Sequence, residues 1–408
     1  MNKVPEKKIN VYSEIGKLRR VLIHRPGQEL SYLTPKRLDE LLFSAILEVE
    51  SAQKEHDEFT NILRKHDVEV VELADLVADT YEFASNKAKK EFLLQWIKEA
   101  EPKISETNKD KVFKYLTSFT KTRDMIDKMM AGITSRELNV RSKNELIVDP
   151  MPNLYFTRDP FSTIGNGVSI NKMKYKTRQR ETIFAEFIFS HHPDYKRTPQ
   201  YFDRNKKTSI EGGDIFIYTD KTLVIGVSER TKLETIKTIA KNIKSNKSCN
   251  FEQIIAINVP PMPNLMHLDT WLTMLDKDKF LYSKNMLGTL KIWKIDLKKK
   301  EIEPVEQKKT IEKVLTEIIG KKPVLIPVGG EDAMQMEIDI ETHFDATNYL
   351  VIEPGVVVGY DRNKKTEEAL KKAGIRVYSF SGNQLSLGMG SARCMSMPLY
   401  RDEVDENN

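Results

Sequence analysis

The sequence predicts an α/β protein assembled from repeated units of two paired strands, a helix and a further strand. Short runs of alternating polarity occur in pairs around polar turns, which is typical of β-hairpins. Apolar residues spaced three and four apart follow these pairs, which indicates amphipathic helices. A Lys- and Glu-rich stretch without strand signals predicts a helical insertion at 73–147, within one domain that spans 1–408.

The clearest unit lies in the middle of the chain. Residues 212–220 and 222–227 predict a hairpin, and helical spacing then runs from Thr231 to Ile243. Further hairpins are predicted at 153–170, 271–282 and 348–360, and a reduced copy with strand, helix and strand occupies 20–73. Such units cannot bury their apolar faces alone, so we expect them to pack as a ring of short sheets around a central axis.

Composition and charge exclude several classes of protein. Lys and Arg number 65 and Asp and Glu 60, which gives a net charge of +5 and argues against a dedicated nucleic-acid-binding face. The chain has two cysteines, fewer than a secreted protein of this size usually carries. The polar residues 1–9 lack the apolar core of a signal peptide, and no apolar run reaches the roughly 20 residues that span a bilayer. We therefore expect a cytoplasmic protein without membrane or nucleic-acid partners.

Acidic residues or histidine stand where four of the predicted hairpins begin. They occur in Phe156–Phe161, Ile210–Asp214, Met266–Thr270 and Thr342–Asp345. A single Asp at such a place commonly caps a turn, so each one alone has a structural explanation. Their recurrence at equivalent places favours a shared pocket. Such a pocket suits a small planar cation, because carboxylates bind a guanidinium group in bidentate pairs.

Cys394 lies in a loop of small residues, Gly388–Pro398, with Arg393 beside it. Nearby positive charge favours the thiolate, which is the nucleophilic form of cysteine. The alternative is that Cys394 is a small buried apolar residue, as most free cysteines are. Together with a histidine that can move protons, such as His267, the cysteine could attack the central carbon of a guanidinium group.

At this point the ordered set of motifs resembles the bacterial arginine deiminases, especially the mycoplasmal form, within the guanidine-modifying enzyme superfamily. The motifs are Leu38–Ser44, Asn153–Phe161, Ile210–Asp214, Met266–Asp269 and Gly388–Cys394. Each is weak alone, but their order covers nearly the whole chain, and Leu38–Ser44 separates this family from related guanidine-modifying enzymes. The resemblance implies a five-bladed α/β propeller that hydrolyses free L-arginine to L-citrulline and ammonia through a covalent cysteine–amidino intermediate, without metal or organic cofactor.

The resemblance also assigns roles to individual residues. Cys394 would be the nucleophile and His267 the general acid and base, with Glu211 orienting the histidine. Asp159 and Asp269 would grip the guanidinium group. The substrate-binding residues that it implies are Asn153, Phe156, Arg178, Arg230, Asp214 and Gly388. Met389 departs from family members that carry arginine at this place, and a homodimer is expected.

Several alternatives remain open at the level of sequence. Arg180 could bind the substrate in place of Arg178, and Arg230 could be only a helix-start residue. A metal-dependent amidine hydrolase is conceivable, because two His-x-Asp pairs could supply ligands. These pairs are His267 with Asp269 and His343 with Asp345. A third possibility is a non-catalytic arginine-binding paralogue that keeps only the carboxylates.

Overall fold

A computed structural model describes residues 8–260, 266–284 and 290–404. The helices are α1 Leu38–Leu41, α2 Val49–Lys65, α3 Leu73–Phe83, α4 Asn86–Lys98, α5 Glu106–Leu116, α6 Thr122–Ala131, α7 Lys176–Gln179, α8 Thr182–His191, α9 Leu233–Ser245, α10 Ile311–Ile319, α11 Gln335–His343 and α12 Lys364–Lys372. The strands are β1 Leu18–Ile23, β2 Glu69–Glu72, β3 Ile133–Thr134, β4 Leu146–Val148, β5 Phe161–Ile164, β6 Gly167–Ile170, β7 Gln200–Phe202, β8 Ile215–Thr219, β9 Thr222–Val227, β10 Gln253–Asn258, β11 Leu272–Met274, β12 Lys279–Tyr282, β13 Ile292–Asp296, β14 Val305–Gln307, β15 Val324–Pro327, β16 Leu350–Glu353, β17 Val356–Tyr360, β18 Arg376–Phe380 and β19 Met397–Arg401.

Within these described ranges, five sheets repeat one pairing pattern, in which an antiparallel hairpin is joined by a parallel third strand. The sheets are β19–β1–β2, β5–β6–β7, β8–β9–β10, β11–β12–β15 and β16–β17–β18, and β13 and β14 extend the third of them. A parallel pair needs a crossover connection, and one or more helices supply it in every sheet. The predicted α/β class and the order of strand, strand, helix and strand are confirmed.

The first unit is completed from the other end of the chain. The reduced copy at 20–73 was predicted with a single strand before its helix. In the structure, β19 supplies the missing hairpin partner, with Leu18 opposite Arg401 and Leu22 opposite Met397. Pairing between segments so distant in sequence leaves no local signal, so the pattern of either segment alone does not predict it.

Two segments predicted as the beginnings of strands are 3₁₀ turns instead. Pro152–Tyr155 and Gly212–Asp214 both form such turns before β5 and β8 begin. Close packing explains the second turn, because a Cβ on Gly212 would lie 1.9 Å from the carbonyl oxygen of Arg158. A Cβ on Gly213 would lie 2.4 Å from Nδ1 of His267. The glycines therefore allow the turn to approach its neighbours closely.

The predicted insertion contains helices α3 to α6, followed by the short antiparallel ribbon β3–β4, which was not predicted. Its helices share an apolar core with α8, in which Phe92 and Phe187 stack at a centroid distance of 4.1 Å and Trp96 is fully buried. None of the helices in the described ranges is long and apolar enough to cross a bilayer.

Candidate active site

The turns that precede the first strands of the five sheets carry buried polar residues that line one cavity or lie next to it. Asp159, Glu211, Asp269, Asp345 and Cys394 stand in the turns before β5, β8, β11, β16 and β19, and all five are buried. The cavity encloses about 390 Å³ of empty space including its mouth. Its lining residues are Leu42, Asn153, Phe156, Asp159, Arg178, Arg230, Met266, His267, Thr270, Gly388, Met389 and Cys394.

The side chain of Asn348 holds the turn that carries Cys394. The Cys394 amide donates to Oδ1 of Asn348 at 2.9 Å, and the Ser391 amide donates to the same oxygen at 3.3 Å. The Cys394 Sγ lies 3.6 Å from Oδ2 of Asp269. Cys394 is one of the residues that line the cavity.

The charges around Cys394 keep its thiol protonated. Burial raises the pKa of the Cys394 thiol well above its usual range, and three nearby carboxylates, those of Asp269, Asp159 and Asp345, raise it further. Arg393 acts in the opposite direction. A cation placed among these carboxylates would therefore favour the thiolate.

His267 carries its proton at neutral pH. Its Nε2 lies 2.9 Å from Oε2 of Glu211, and its Nδ1 lies 4.0 Å from Oδ1 of Asp159. Burial alone would lower the pKa of His267, but the neighbouring carboxylates, Asp159 and Glu211 foremost, raise it to about 9. The imidazolium can therefore act as a general acid toward a leaving amine.

Two buried carboxylates, those of Asp159 and Asp269, lie near Cys394 and have different partners. Asp159 accepts from Nη1 of Arg178 at 2.8 Å and from the Gly213 amide at 3.1 Å. Asp269 accepts from Nη1 of Arg393 at 2.9 Å through Oδ2. Its Oδ1 is buried and has no hydrogen-bond partner among the residues that the structure describes. A guanidinium ligand would supply the missing donor, and an unmet buried acceptor is costly.

Two arginines also line the cavity. Arg178 binds Glu181 through Nε and Nη2 at 3.0 to 3.1 Å, in addition to Asp159. Arg230 donates to Oε2 of Glu211 at 3.1 Å, and its guanidinium lies 5.0 Å from the centroid of the Tyr175 ring. Both arginines line the cavity, so the view of Arg230 as only a helix-start residue is incomplete.

Arg180 lies elsewhere. Its guanidinium stacks on Trp96 at 5.3 Å from the ring centroid and donates to the carbonyl oxygen of Asp149 at 2.9 Å. It is not among the residues that line the cavity. Of the two arginines that the sequence left open, Arg178 is therefore the one that can meet a ligand.

Three further predicted residues line the cavity. The Asn153 amide donates to the carbonyl oxygen of Leu41 at 2.8 Å, and the Phe156 ring packs against Tyr155 at a centroid distance of 4.1 Å. Gly388 packs so tightly that a Cβ there would lie 1.7 Å from Oη of Tyr155. The adjoining Met389 lines the cavity with a left-handed φ of 61°.

Asp214 was predicted to contact the substrate, but the structure gives it another place. Its Oδ2 accepts from the Ser228 hydroxyl at 2.7 Å, and its Oδ1 accepts from the Leu268 amide at 2.9 Å. It does not line the cavity. The Leu268 amide belongs to the turn between His267 and Asp269, so Asp214 fixes that turn from behind.

Asn348 is a site residue that sequence analysis missed. It is fully buried, and it ties the Cys394 turn to the turn before β16. The only signal was its position at the start of the hairpin predicted at 348–360, equivalent to the turns that carry the acidic residues. An asparagine there is also a common turn residue, so the sequence does not distinguish the two roles.

One group of side chains in the described part of the chain has the spacing of a metal site. Ligand atoms of Asp159, Glu211 and His267 lie within 4.8 Å of one another. Arg178 already pairs with the first carboxylate and Arg230 with the second, at 2.8 and 3.1 Å. A divalent cation would therefore face two buried guanidinium groups, which disfavours its binding.

The four-residue metal site that the sequence left open is not assembled. His343 is exposed at the end of α11, whereas His267, Asp269 and Asp345 are buried. The His-x-Asp spacing of the second pair thus arises from a helix end followed by a turn, and the two pairs do not form one site.

Comparison with known proteins identifies close relatives. The family model described as Arginine deiminase matches residues 39–401. A protein of Metamycoplasma hominis named arginine deiminase is 58% identical over 398 residues, which cover 97% of each chain. One of Metamycoplasma arthritidis is 57% identical over 400 residues and 98% of each chain. One of Treponema denticola is 42% identical over 410 residues, covering 97% of this chain and 99% of its own.

Solved structures extend the similarity to more distant proteins. An amidinotransferase from Microseira wollei matches with a TM-score of 0.56 and 14% identity, over 97% of this chain and 98% of its own. The DDAH from Pseudomonas aeruginosa, solved in complex with citrulline, matches with a TM-score of 0.52 and 14% identity, over 93% of this chain and 99% of its own. At such identity the likeness concerns the mixed α/β fold alone.

Proposed function

The chain belongs to the arginine deiminase family, and from this premise we propose that its cavity hydrolyses free L-arginine to L-citrulline and ammonia. One observation carries the proposal. The same cavity is lined by a cysteine, a protonated histidine, Asp159 and two arginines, Arg178 and Arg230. Free arginine has a cationic guanidinium group and a carboxylate, so each of its two charged ends finds groups of opposite charge in this cavity.

Substrate binding prepares the nucleophile. The guanidinium group binds between Asp159 and Asp269, where Oδ1 of Asp269 receives a donor. Phe156 packs on the methylene chain, and Asn153, Arg178 and Arg230 hold the amino-acid end. Because the cation neutralises the carboxylates that raise the pKa of Cys394, the thiol ionises and releases its proton to solvent.

The first half of the reaction releases ammonia. The Cys394 thiolate attacks the guanidinium carbon and forms a tetrahedral adduct. His267 donates its proton to one of the terminal nitrogens, and the carbon–nitrogen bond breaks with departure of ammonia. An amidino group then remains bound through carbon to the sulfur of Cys394, and His267 is neutral.

The second half releases citrulline. Neutral His267, held by Glu211 at 2.9 Å, takes a proton from water as the water oxygen bonds to the amidino carbon. The carbon–sulfur bond breaks, the thiolate leaves, and the remaining hydroxyl proton passes to solvent. Citrulline keeps the other terminal nitrogen, and His267 is again protonated for the next turnover.

We also propose a role for Asp214 that differs from substrate contact. Its two hydrogen bonds to Ser228 and Leu268 support a positioning role for the turn that carries His267 and Asp269. Gly388 has no side chain, so it packs closely against Tyr155 and leaves room at the cavity wall.

At the level of the whole molecule, we propose a single catalytic domain over 1–408 with the five units arranged as a five-bladed propeller, and with 73–147 as its helical insertion. Five sheets with the same strand pairing support this arrangement. The balance of 65 basic and 60 acidic residues supports a protein that binds no nucleic acid. We further propose a homodimer in the cytoplasm, which sedimentation of the purified protein would test for its assembly state.

The reaction is tested by measuring citrulline formed from arginine by the purified protein. We expect turnover by the wild type, none by Cys394→Ala, and wild-type turnover by the matched control Cys249→Ala, since Cys249 lies outside the cavity. Citrulline formation that needs an added metal, or that survives in Cys394→Ala, would support the metal-dependent alternative. Binding of arginine without turnover by the wild type would support a non-catalytic paralogue.

Substrate choice gives a second arm of the same experiment. Agmatine is arginine without its carboxylate, so it lacks the anionic group that we propose Arg178 and Arg230 to bind. A site built to pair a charged group rejects an analogue that lacks it by large factors, often about 10⁴. We expect agmatine to be a very poor substrate, and comparable kcat/KM values for the two compounds would contradict the assignment of both arginines.

A further inference from the structure

A second cavity lies behind the Cys394 turn. Its walls include Glu14, Arg158 and Arg401, and it shares no lining residue with the substrate cavity. Arg158 connects the two, because its amide donates to the carbonyl oxygen of Cys394 at 3.0 Å and its Nε donates to that of Arg393 at 3.1 Å. We call this space the rear cavity.

Positive charge exceeds negative charge around the rear cavity. Three buried guanidinium groups, those of Arg158, Arg393 and Arg401, lie near the carboxylates of Glu14 and Asp269. Arg393 forms ion pairs with both carboxylates. Its Nη1 lies 2.9 Å from Oδ2 of Asp269, and its Nη2 lies 3.5 Å from Oε2 of Glu14. The count of three cations against two anions leaves one buried positive charge without a counter-charge, which is costly in a protein interior.

The other two arginines bond mainly to backbone groups. Arg401 donates through Nη1 to the carbonyl oxygen of Gly16 at 2.7 Å and through Nη2 to that of Val351 at 2.8 Å. Nη2 of Arg158 and Nε of Arg401 are buried and have no hydrogen-bond partner within the described ranges. Carbonyl oxygens satisfy donors but do not neutralise a charge.

The pKa values of Arg158 and Arg401 are both lowered in this arrangement. Burial and the charge of Arg393 lower the pKa of Arg158 to about 9. Burial also lowers the pKa of Arg401, to about 10, although Glu14 partly offsets this effect. A negative ion between the two guanidinium groups would relieve both.

We propose that the rear cavity binds one small inorganic anion of the size of chloride, held between Arg158 and Arg401. The cavity has room for about one particle of water size, so a monatomic anion is the ligand that fits it as it stands. Its remaining walls include Val11, Ile217 and Met397, so the two guanidinium groups supply its positive charge. Water could satisfy the unpaired donors, but it would leave the charge uncompensated.

The anion would also steady the nucleophile. Arg158 holds the carbonyl oxygens of two consecutive residues, Arg393 and Cys394. Pairing of the Arg158 guanidinium group with an anion fixes this side chain. The turn that carries the thiol is then held from the side opposite to the substrate. Stability of the free protein should therefore depend on chloride.

The direct test is to crystallise the wild-type protein in sodium bromide and collect anomalous diffraction at the bromine edge. We expect an anomalous peak in the rear cavity within hydrogen-bonding distance of Arg158 and Arg401. Absence of a peak there at saturating bromide overturns the proposal and identifies the occupant as water. This measurement does not depend on activity, so it stands apart from the test of the proposed function.

A solution test uses thermal unfolding at constant ionic strength, with chloride replacing gluconate, which is too large to enter. We expect the wild-type Tm to rise with chloride and to saturate, as ligand binding to the folded state requires. Arg158→Gln should lose this dependence, whereas the control Arg180→Gln, which alters a buried arginine outside the rear cavity, should keep it. If Arg158→Gln does not fold, the bromide crystal decides.

A third variant should strengthen binding. Glu14→Gln keeps an acceptor for the Ile217 amide but removes the carboxylate charge near the cavity. Removal of a unit negative charge a few ångströms from an anion should lower the chloride concentration at half-saturation by about tenfold or more. An unchanged midpoint, or chloride dependence that persists in Arg158→Gln, contradicts the proposed site.

Discussion

In the proposed reaction, a buried carboxylate such as Asp159 acts on the substrate and on the thiol at the same time. Its charge attracts the guanidinium group, and it is also one of the charges that raise the pKa of Cys394 in the free protein. The thiol is therefore kept in its unreactive form until a cation arrives. Protection of the cysteine and selection of the substrate thus have one physical origin.

The variant Asp159→Asn tests this double action. The amide cannot pair with the guanidinium charge, so bound arginine is displaced from the sulfur, and we expect kcat to fall at least about 100-fold together with a higher KM. Steady-state kinetics measures both, and Asp220→Asn in an exposed turn is the control. A higher KM with an unchanged kcat would mean that Asp159 contributes only uniform binding.

Asp345 predicts the pH dependence of stability. Burial, followed by the charge of Asp269, raises the pKa of Asp345 to about 8. Between the unfolded pKa near 3.8 and about 8, the folded state binds a proton that the unfolded state releases. The free energy of unfolding therefore falls as pH rises through this window.

Asp345→Asn should remove this fall in the free energy of unfolding with rising pH. Asparagine tolerates the left-handed φ of 54° at this position, and it carries no charge to bury. We expect the free energy of unfolding of the variant to equal that of the wild type near pH 4 and to exceed it by about 1 kcal/mol or more at pH 8. Denaturant unfolding across this range measures the difference, and two parallel curves would contradict the raised pKa.

At the scale of elements, the surroundings of Cys394 consist largely of turns. The turn before β16 reaches the turn before β19 through Asn348, whose Oδ1 accepts from the amides of Ser391 and Cys394. Neither turn has a regular hydrogen-bond ladder to fix it, so side chains such as Asn348 hold the thiol in place.

Asn348→Ala is expected to lower kcat about tenfold with little change in KM, because it loosens the nucleophile without touching the substrate. The control is Asn363→Ala, a buried asparagine of the same unit that donates to the carbonyl oxygen of Phe344 instead. Equal effects of the two substitutions on kcat would indicate general destabilisation rather than positioning.

The same turns limit what the sequence could predict. Sequence patterns predicted β8, β9 and α9 closely, since a hairpin and an amphipathic helix both form between residues that are near in sequence. The 3₁₀ turns at Pro152–Tyr155 and Gly212–Asp214 were assigned to strands, because tight packing of their residues depends on neighbours distant in sequence. For the same reason Asp214 was assigned to the substrate, whereas its partners are a hydroxyl and an amide behind the cavity.

At the scale of the whole molecule, pairing of β1 with β19 joins the two ends of the described chain. The sequence predicted the unit order but not this pairing, which no local pattern encodes. β19 directly follows the Cys394 turn, so the strand that completes the first sheet also anchors the nucleophile.

Truncation tests how much the pairing of β1 with β19 contributes to stability. A chain that ends at Ser396 loses β19 with the buried Met397 and Leu399, each worth about 1.5–3 kcal/mol of burial. We expect it to lose cooperative thermal unfolding, while a chain that ends at Val404 keeps it. A cooperative transition at the wild-type Tm in the shorter chain would show that β19 is dispensable.

The claim that Cys394 forms a covalent bond to the guanidinium carbon is tested most directly by trapping the intermediate. Because His267 serves both half-reactions, the wild-type protein is the one to trap, by quenching it in acid during turnover at saturating arginine. Mass spectrometry of the quenched protein should find the added mass of the amidino intermediate on the peptide that contains Cys394, and none in Cys394→Ser treated in the same way. Wild-type turnover by Cys394→Ser, with no adduct on Cys394 under any condition, would contradict the claim.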